Sequence, residues 1–501
     1  MIALDGPEDL TTATYRRIVH AREAVGMTDR ALARVERSRR LFLKHLETGA
    51  ICYGVNTGLG ALAGRDLDDE ESQLLPRHVL LGRAGAVGAP FPAVVSRGAM
   101  LIKLAQFLTG SSAVSAELCR FIADRLNDGF TPLIPSEGHG MAGEIIPLCH
   151  LAQTFIGEGY LLDENGGRMP AADWLRDHRV TPYAPQSKEG LSLINGVAAA
   201  PAVAFEAVAR LKDTLSLATL AAAATAEGLG ASVEAFSADV ARLRPDPGMR
   251  EVAAMLRRLV SGSTITRGTR QPAVSIRVAP HVHGALHAAI GRLEQAVIAE
   301  WSAIGDNPVF IPDEASPAFG RLLHSGNFHC AELTQQVEAA ALAIAQLALL
   351  SERRLHRLLD DRFSGLAPQL ARRPGLDAGL VILHKAVLGL TAKVRSLSVP
   401  PSLQHGETSF GQEDAMTMIF PALDRLAEID RLARLVATYE LYAALAAIDQ
   451  RRQTPGTAIQ AVLDRARKEI PAHAGDRSYG PDVERLALMI ETGQLPLPVI
   501  E

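Results

Sequence analysis

Tyr53 opens a glycine-rich stretch, residues 53–60, with the sequence Tyr-Gly-Val-Asn-Thr-Gly-Leu-Gly. Taken alone, the repeated glycines indicate a turn-rich loop. The stretch lacks the Gly-Lys-Ser/Thr ending of a phosphate-binding loop, so phosphate binding is not predicted. A phenol in such a loop can act as a base only where its neighbours lower its pKa from about 10. Acid–base chemistry at Tyr53 therefore requires specific partners.

Two basic side chains, those of Arg83 and Lys385, occupy positions where a charged residue is unusual. The guanidinium of Arg83 suits a bidentate interaction with an anionic or strongly polarised acceptor, although an arginine that simply follows a helix is the alternative. Lys385 interrupts an apolar stripe that includes Val381 and Leu388. A buried lysine is costly unless it is paired. Either Lys385 extends to the edge of its helix, or it reaches a pocket and meets Glu413 or an acidic substrate atom.

Three histidines, His281, His283 and His287, invite a metal-site interpretation, because the last two stand four residues apart. Zinc sites draw their ligands from Cys, His, Asp and Glu, and no nearby carboxylate completes this set. The segment also continues a helical pattern beyond Arg277. We therefore predict no metal site.

Most of the chain segments that must position these residues have the apolar periodicity of a helix. Apolar residues recur at three- and four-residue spacing in six segments, 96–127, 199–228, 281–303, 330–360, 378–397 and 421–450. Long helices that are apolar on more than one face suit a bundle buried by oligomerisation. Gly, Asn and Pro gather in the loops 54–64, 131–147, 165–190, 305–327 and 398–412, which also hold most of the unusual polar residues.

The composition excludes several classes of protein. Hydrophobic residues make up 48% and charged residues 21% of the 501 residues, as in globular proteins. A net charge of −5 argues against nucleic acid and anionic membranes as partners. The four scattered cysteines form no CxxC pair, which indicates reduced thiols. The N-terminus has no signal-peptide pattern, and no charge-free apolar run reaches the length of a membrane span. A cytoplasmic protein is predicted.

Several motifs, taken in chain order, resemble those of the histidine/phenylalanine/tyrosine ammonia-lyase family. Residues 53–60 match its Tyr-Gly-Val-Asn-Thr-Gly-Phe-Gly loop almost letter for letter. The further matches are 189–196 with Glu-Gly-Leu-Ala-Leu-x-Asn-Gly, 271–277 with Gln-Asp-x-Tyr-Ser-x-Arg, 306–308 with Asp-Asn-Pro, 326–329 with Gly-Asn-Phe-His and 412–414 with Gln-Glu-Asp. The resemblance covers most of the chain.

This resemblance implies an architecture. It implies a mainly α fold, a long-helix bundle with a loop-rich N-terminal active-site region. Residues 1–190 would carry the base loop and the cofactor-forming segment, and residues 191–501 would form the helix bundle that completes the active site. The implied assembly is a homotetramer in which three chains build each site around a small-molecule substrate.

One segment departs from the family pattern in a way that decides its chemistry. In the family, an Ala-Ser-Gly tripeptide cyclises and dehydrates into the electrophile 4-methylideneimidazol-5-one (MIO). The corresponding residues here are Met141, Ala142 and Gly143. The exocyclic methylene of MIO comes from a serine that loses water, and alanine has no hydroxyl to lose. Val274 also replaces a family tyrosine that helps to manage the amine and MIO. No cofactor is therefore expected.

The resemblance assigns roles to the matched residues. Tyr53 would be the base that removes the β-proton of the substrate. Arg277, in the same motif as Gln271, would bind the substrate carboxylate, a task that suits a guanidinium. Asn195 would lie beside that carboxylate, and Phe328 belongs to a segment that shapes the pocket.

Three residues bear on the ring of the substrate. Glu413 corresponds to a glutamate that contacts an imidazole nitrogen in histidine ammonia-lyases, which favours a histidine-like ring. Arg83 replaces a family residue that touches the ring, which suggests that the ring carries an additional polarised group. The thione sulfur of ergothioneine, a 2-thio-imidazole betaine, would give Arg83 and Lys385 a partner. It could also accept charge as the β-carbon loses its proton.

The missing electrophile itself predicts the leaving group. In the family reaction the α-ammonium N–H is more acidic than the β-C–H, and MIO overcomes this by alkylating the amine or activating the ring. A trimethylammonium group has no N–H and leaves as a neutral amine, so it needs no MIO. We therefore predict a carbon–nitrogen lyase that converts ergothioneine into thiourocanate and trimethylamine. The alternatives are a lyase for another betaine such as hercynine, or a catalytically inactive homologue with a binding role.

Overall fold

The structure is a computed structural model that describes residues 1–163, 165–268, 271–404 and 406–499. Helices account for most of this part of the chain. They are α1 Thr12–Val19, α2 Asp29–Glu47, α3 Asp69–Leu81, α4 Ala93–Phe107, α5 Ala116–Asn127, α6 Ile145–Gln153, α7 Ala171–Asp177, α8 Glu189–Ile194, α9 Ala199–Leu229, α10 Ala238–Arg242, α11 Pro247–Leu259, α12 Val274–Arg277, α13 Ala279–Ser302, α14 Ala331–Leu359, α15 Asp361–Ser364, α16 Val381–Leu397, α17 Ile419–Gln450, α18 Thr457–Ala466 and α19 Gly480–Glu491.

The strands are short, and their pairing holds the neighbouring loops in place. They are β1 Ile2–Leu4, β2 Val25–Met27, β3 Val87–Pro90, β4 Pro135–Glu137, β5 Tyr160–Leu162, β6 Arg168–Pro170, β7 Val309–Pro312 and β8 Gly320–Leu323. Within the described residues they pair as four two-stranded sheets. The β1–β2 pair is parallel, and the other pairs are antiparallel. In β7–β8, Val309 lies opposite Leu323, so this hairpin closes the predicted loop 305–327.

The mainly α fold is confirmed, and most predicted helices agree with the observed bounds to within a few residues. The exception is the predicted helix 96–127, which is two helices, α4 and α5. Gly110 has a φ of +82° after the end of α4, a conformation that favours glycine. The Ser115 hydroxyl then accepts a hydrogen bond from Leu118 N (3.1 Å) and caps α5. Apolar periodicity alone did not reveal this break, because both helices are buried.

The chain forms two compact units. The first comprises Met1–Glu206, Glu294–Gln335 and Pro400–Leu423, and the second comprises Ala207–Leu293, Gln336–Val399 and Asp424–Glu501. Four of the five bounds fall within the long helices α9, α13, α14 and α17, and the fifth, between Val399 and Pro400, follows α16. The division into residues 1–190 and 191–501, which rests on motif order, stays a prediction.

A buried arginine organises part of the first unit. Arg97 on α4 is 2% exposed and donates to the carbonyl oxygens of Ile18, Val19 and Leu126 at 3.0–3.2 Å. These carbonyls lie at the ends of α1 and α5, where a helix leaves its last acceptors unsatisfied. A guanidinium suits that position, since helix C-termini attract positive charge. Arg97 therefore joins three helices of this unit.

A buried ion pair lies within the second unit. Arg354 on α14 and Glu440 on α17 are both fully buried, with Nε–Oε1 and Nη2–Oε2 distances of 2.6 and 2.8 Å. The hydroxyls of Thr225 and Ser351 also donate to this carboxylate. The charge of Glu440 is thus satisfied by several donors, as a buried carboxylate requires.

Two helical stretches of the described residues are long and apolar enough to cross a membrane, Glu189–Leu229 and Ala331–Leu359. In the first, 83% of the most apolar window is buried inside the protein, and in the second 50% is buried. Buried core helices of soluble proteins can be equally long and apolar, so length and composition alone are weak evidence for a membrane span. The four cysteines are buried free thiols.

Candidate active site

Loops of the first unit, together with the short helix α8, surround a cavity of about 710 Å³. Its wall draws on segments around residues 53–63, 83, 142–145, 191–195, 307, 324–328 and 409–413. Seven of the predicted site residues line it: Tyr53, Arg83, Ala142, Gly143, Asn195, Phe328 and Glu413. Motifs that are far apart in the sequence therefore meet at one place.

Four other predicted residues do not line this cavity. Met141 is buried, and its sulfur accepts a hydrogen bond from Ile146 N (3.3 Å). Gln271, Arg277 and Lys385 belong to the second unit. Lys385 is exposed on α16, and the functions assigned to these three residues stay predictions.

Arg277 is held by its own motif. Its Nε donates to the carbonyl oxygen of Pro272 (3.0 Å). With the Gln271 side-chain oxygen turned towards Arg277, that oxygen accepts from Nη1 and Nη2 at 2.5 and 3.2 Å. Gln271 therefore positions the guanidinium of Arg277.

The Tyr53 hydroxyl is anchored within its own loop. Its oxygen accepts a hydrogen bond from Gly60 N (2.8 Å), a donor that would stabilise an oxyanion at this position. Gly54 permits the tight turn: its φ is +67°, and a Cβ there would approach side-chain atoms of Leu59 and Leu191 to within 2.7 Å. The glycine-rich loop therefore folds back and supplies the N–H donor to its own tyrosine.

The rings of Tyr53 and His324 meet edge to face, with centroids 6.1 Å apart and an interplanar angle of 80°. His324 lines the cavity but is absent from the predicted site. The sequence offered two signals, since this histidine lies in the predicted loop 305–327 and stands two residues before the matched segment 326–329. A second titratable ring therefore lies beside the predicted base.

The Glu413 carboxylate is fixed by the turn that precedes it. Its Oε1 accepts from the Ser409 hydroxyl (3.0 Å), and its main chain pairs with Thr408. Ser409 and Phe410 have φ values of +56° and +53°, which are uncommon for residues other than glycine. Strained backbone of this kind is often found at functional sites. The turn presents Glu413 and a fully exposed Phe410 to the cavity.

The degenerate tripeptide, Met141-Ala142-Gly143 in place of the family's Ala-Ser-Gly, presents only the methyl group of Ala142 where the family has a serine side chain. Ala142 is 8% exposed and lines the wall. Gly143 packs against Phe328, since a Cβ on the glycine would lie 3.3 Å from the phenylalanine Cβ. Nothing on Ala142 can be dehydrated to a methylene, so these residues do not fit the MIO group.

Asn195 lies just beyond α8, with its side chain held in place. Its Nδ2 donates to the carbonyl oxygen of Asn307 (2.8 Å), and the Lys103 ammonium donates to the carbonyl oxygen of Asn195 (2.8 Å). Burial lowers the pKa of Lys103 to about 8. The Asn195 amide is therefore fixed from both its side chain and its main chain.

A buried ion pair supports this arrangement from behind. Lys188 Nζ lies 2.7 Å from Asp306 Oδ2, with side-chain exposures of 0% and 2%. The Ser192 hydroxyl donates to the same oxygen (2.8 Å), and Asn307 N donates to Oδ1 (2.8 Å). Electrostatic attraction between Lys188 and the carboxylate keeps the pKa of Asp306 below its usual value although burial raises it. The pair joins the segment before Asn195 to the segment that carries Asn307.

Glu144 connects the degenerate tripeptide to a helix N-terminus. Its fully buried carboxylate accepts from the main-chain N–H groups of Ala198, Ala199 and Ala200 at 2.6–2.7 Å. The start of α9 offers unsatisfied N–H groups and a positive dipole end. Burial nevertheless raises the pKa of Glu144 to about 7, although these three donors oppose the shift. The carboxylate thus ties Ala142 to the segment that follows Asn195.

We expect Glu144→Gln to flatten the dependence of stability on pH. Because an unfolded glutamate ionises near pH 4.5 and Glu144 near pH 7, the folded state binds more protons between these values. The contribution of Glu144 to the free energy of unfolding is therefore fully present below about pH 4.5. It falls by at most about 3 kcal/mol as the pH rises to about 7. Urea unfolding at pH 5.5 and 7.5 would measure the difference between wild type and variant.

Glu137→Gln is the matched control, because Glu137 is exposed. Burial and the nearby charge of Glu144 also raise the pKa of Glu300 to about 7, so removing Glu144 reduces that shift and flattens the pH dependence in the same direction. An unchanged pH slope in Glu144→Gln would contradict the assignment.

Comparisons with known proteins identify the family. The family model for aromatic amino acid lyases matches residues 10–468. A histidine ammonia-lyase of Deinococcus radiodurans is 33% identical over 494 residues, covering 97% of this chain and 93% of the relative. The crystal structure of an ergothionase from Treponema denticola, in complex with desmethyl-ergothioneine sulfonic acid, superposes with a TM-score of 0.93 at 25% identity, covering 99% of both chains. For a tyrosine aminomutase from Streptomyces globisporus the TM-score is 0.88 at 26% identity, covering 99% of this chain and 98% of the other. The chain therefore belongs to the aromatic amino acid lyase family.

Proposed function

We propose that the chain is a MIO-independent carbon–nitrogen lyase that eliminates trimethylamine from ergothioneine and leaves thiourocanate. The observation that carries the proposal is Ala142, which lines the same cavity as Tyr53 and Glu413 but has no hydroxyl from which MIO could form. A lyase cavity that keeps the base loop and lacks the electrophile favours a substrate whose amine leaves unaided. The structural similarity to an ergothionase supports the same substrate class.

The reaction requires one proton transfer and one bond cleavage. Tyr53, as phenolate, would take the proton from the β-carbon, and that C–H electron pair would become the new double bond to the α-carbon. The bond from the α-carbon to nitrogen breaks, and its electron pair leaves with neutral trimethylamine. Gly60 N would hold the Tyr53 oxygen before and after the transfer. No group has to alkylate the amine.

The ring of the substrate would lie between Glu413 and Arg83. Among the described residues, none forms an ion pair with Arg83, so its guanidinium is available for a polarised sulfur. A cation at the thione would stabilise negative charge that moves into the ring as the β-proton leaves. This favours ergothioneine over hercynine, which has no sulfur.

The carboxylate would be bound by residues outside the described cavity. We propose a homotetramer in which neighbouring subunits contribute Arg277, Gln271 and Lys385. The guanidinium of Arg277, oriented by Gln271, suits a carboxylate, and Lys385 would add a second cation near the thione.

The proposal is tested with ergothioneine, hercynine and histidine as separate substrates of the purified protein. We expect ergothioneine to yield a conjugated acrylate absorbance and an equal amount of trimethylamine, quantified by proton NMR. For hercynine, kcat/KM should be about 100-fold lower, because one charge-stabilising interaction is lost. Turnover of histidine, or of none of the three, would contradict the proposal. An equal kcat/KM for hercynine and ergothioneine would show that the sulfur does not contribute to catalysis.

A further inference from the structure

Aromatic side chains line the cavity beside the proposed base and beside the Ala142–Gly143 segment. Tyr53, His324 and Phe328 all line the cavity, and the Tyr53 and His324 rings are in contact. Phe328 packs against Gly143, the neighbour of Ala142. Tyr53 and Phe328 are half-buried and His324 is exposed, so part of each ring surface is available to a ligand.

The chemistry requires the leaving nitrogen to be close to these rings. The nitrogen is bonded to the α-carbon, and the proton leaves the adjacent β-carbon. The base and the amine therefore lie within a few ångströms of each other in any reactive complex. His324, which contacts Tyr53, is thus a candidate to contact the amine, and Phe328 is a further aromatic side chain of the same cavity.

In the part of the chain that the structure describes, the cavity offers only one anionic group to an ordinary ammonium. Among the described residues that line it, Glu413 is the only carboxylate, and it accepts from the Ser409 hydroxyl. A primary ammonium has three N–H donors that need acceptors. A trimethylammonium group has none, and the faces of aromatic rings attract such a cation.

We propose that Tyr53, His324 and Phe328 form an aromatic site for the trimethylammonium group. This inference rests on the proposed function and identifies the part of the cavity that selects a quaternary amine. The site holds the cation in the ground state. The nitrogen keeps its positive charge until the carbon–nitrogen bond breaks, so the site binds the substrate equally before and during the proton transfer.

The test compares Phe328→Leu, which keeps apolar volume but removes the ring, with wild type. We expect KM for ergothioneine to rise about 5- to 30-fold, within the range of desolvated cation–π interactions, while kcat changes less than threefold. His324→Leu should raise KM in the same direction. Phe363→Leu is the control, because Phe363 is a half-exposed phenylalanine of the second unit. Thermal melts would verify that each variant is folded.

Binding of tetramethylammonium separates this inference from the proposed function. Ligand-observed NMR should show binding to wild type that weakens at least fivefold in Phe328→Leu, with much weaker binding of the neutral isostere tert-butanol. If these results hold but ergothioneine is not split, the aromatic site stands and the proposed substrate fails. If ergothioneine is split but both variants keep KM and tetramethylammonium affinity within twofold of wild type, the aromatic site is wrong and the proposed function stands.

Discussion

Tyr53→Phe is expected to lower kcat for ergothioneine by about 1,000-fold, because general acid–base catalysis by a positioned side chain contributes about 10²- to 10⁴-fold. The substitution removes only the hydroxyl oxygen, which accepts from Gly60 N. The ring would keep its contact with His324, so affinity for the product thiourocanate should change less than threefold. Stopped-flow absorbance and isothermal titration would measure these two quantities separately.

Tyr160→Phe is the matched control, since it removes a hydroxyl from an exposed tyrosine that does not line the active-site cavity. Its kcat should equal that of wild type. If Tyr53→Phe retained a tenth of the wild-type kcat, Tyr53 would not be the base. His324, the titratable ring that it contacts, would then be the next residue to substitute.

Lys188→Met is expected to lower the free energy of unfolding by about 3–5 kcal/mol, the usual effect of removing one partner of a buried ion pair. Asp306 is buried and would lose the ammonium that offsets the cost of burying its carboxylate. The same change should lower activity, because Asp306 and its neighbour Asn307 hold the segment that positions Asn195. Urea unfolding and steady-state kinetics under conditions where the variant is folded would measure both effects.

Arg37→Met provides the comparison for this experiment. Arg37 pairs with Glu314 at 2.9 Å, but their side chains are 51% and 54% exposed. Solvent screens such pairs, so the expected loss is below about 1 kcal/mol. Equal losses in the two variants would show that burial of the Lys188–Asp306 pair has no special importance.

The long helices were predictable because their apolar periodicity is local information. The observed helices α9, α13, α14 and α17 begin and end within a few residues of the predicted segments. The break between α4 and α5 was not predictable from periodicity, since residues on both sides of it are buried. Gly110 and Ser115 are the residues that mark it.

The site was predictable where a residue belongs to a recognisable motif or departs from the family pattern, as Arg83 and Ala142 do. Tyr53, Asn195, Phe328 and Glu413 lie in such motifs and line one cavity. Glu144 and Lys188 were not among the predicted site residues, because their importance comes from burial and from partners distant in the sequence. No spacing along the chain reports such contacts.

The sequence by itself determined that this chain cannot form the family electrophile. Ala142 has no hydroxyl, and no tertiary structure can restore an atom that the side chain lacks. Only the tertiary structure decided which groups surround Tyr53. The approach of His324, 271 residues further along the chain, depends on how separate loops pack. Composition determines which chemistry is available, and packing determines which groups meet to perform it.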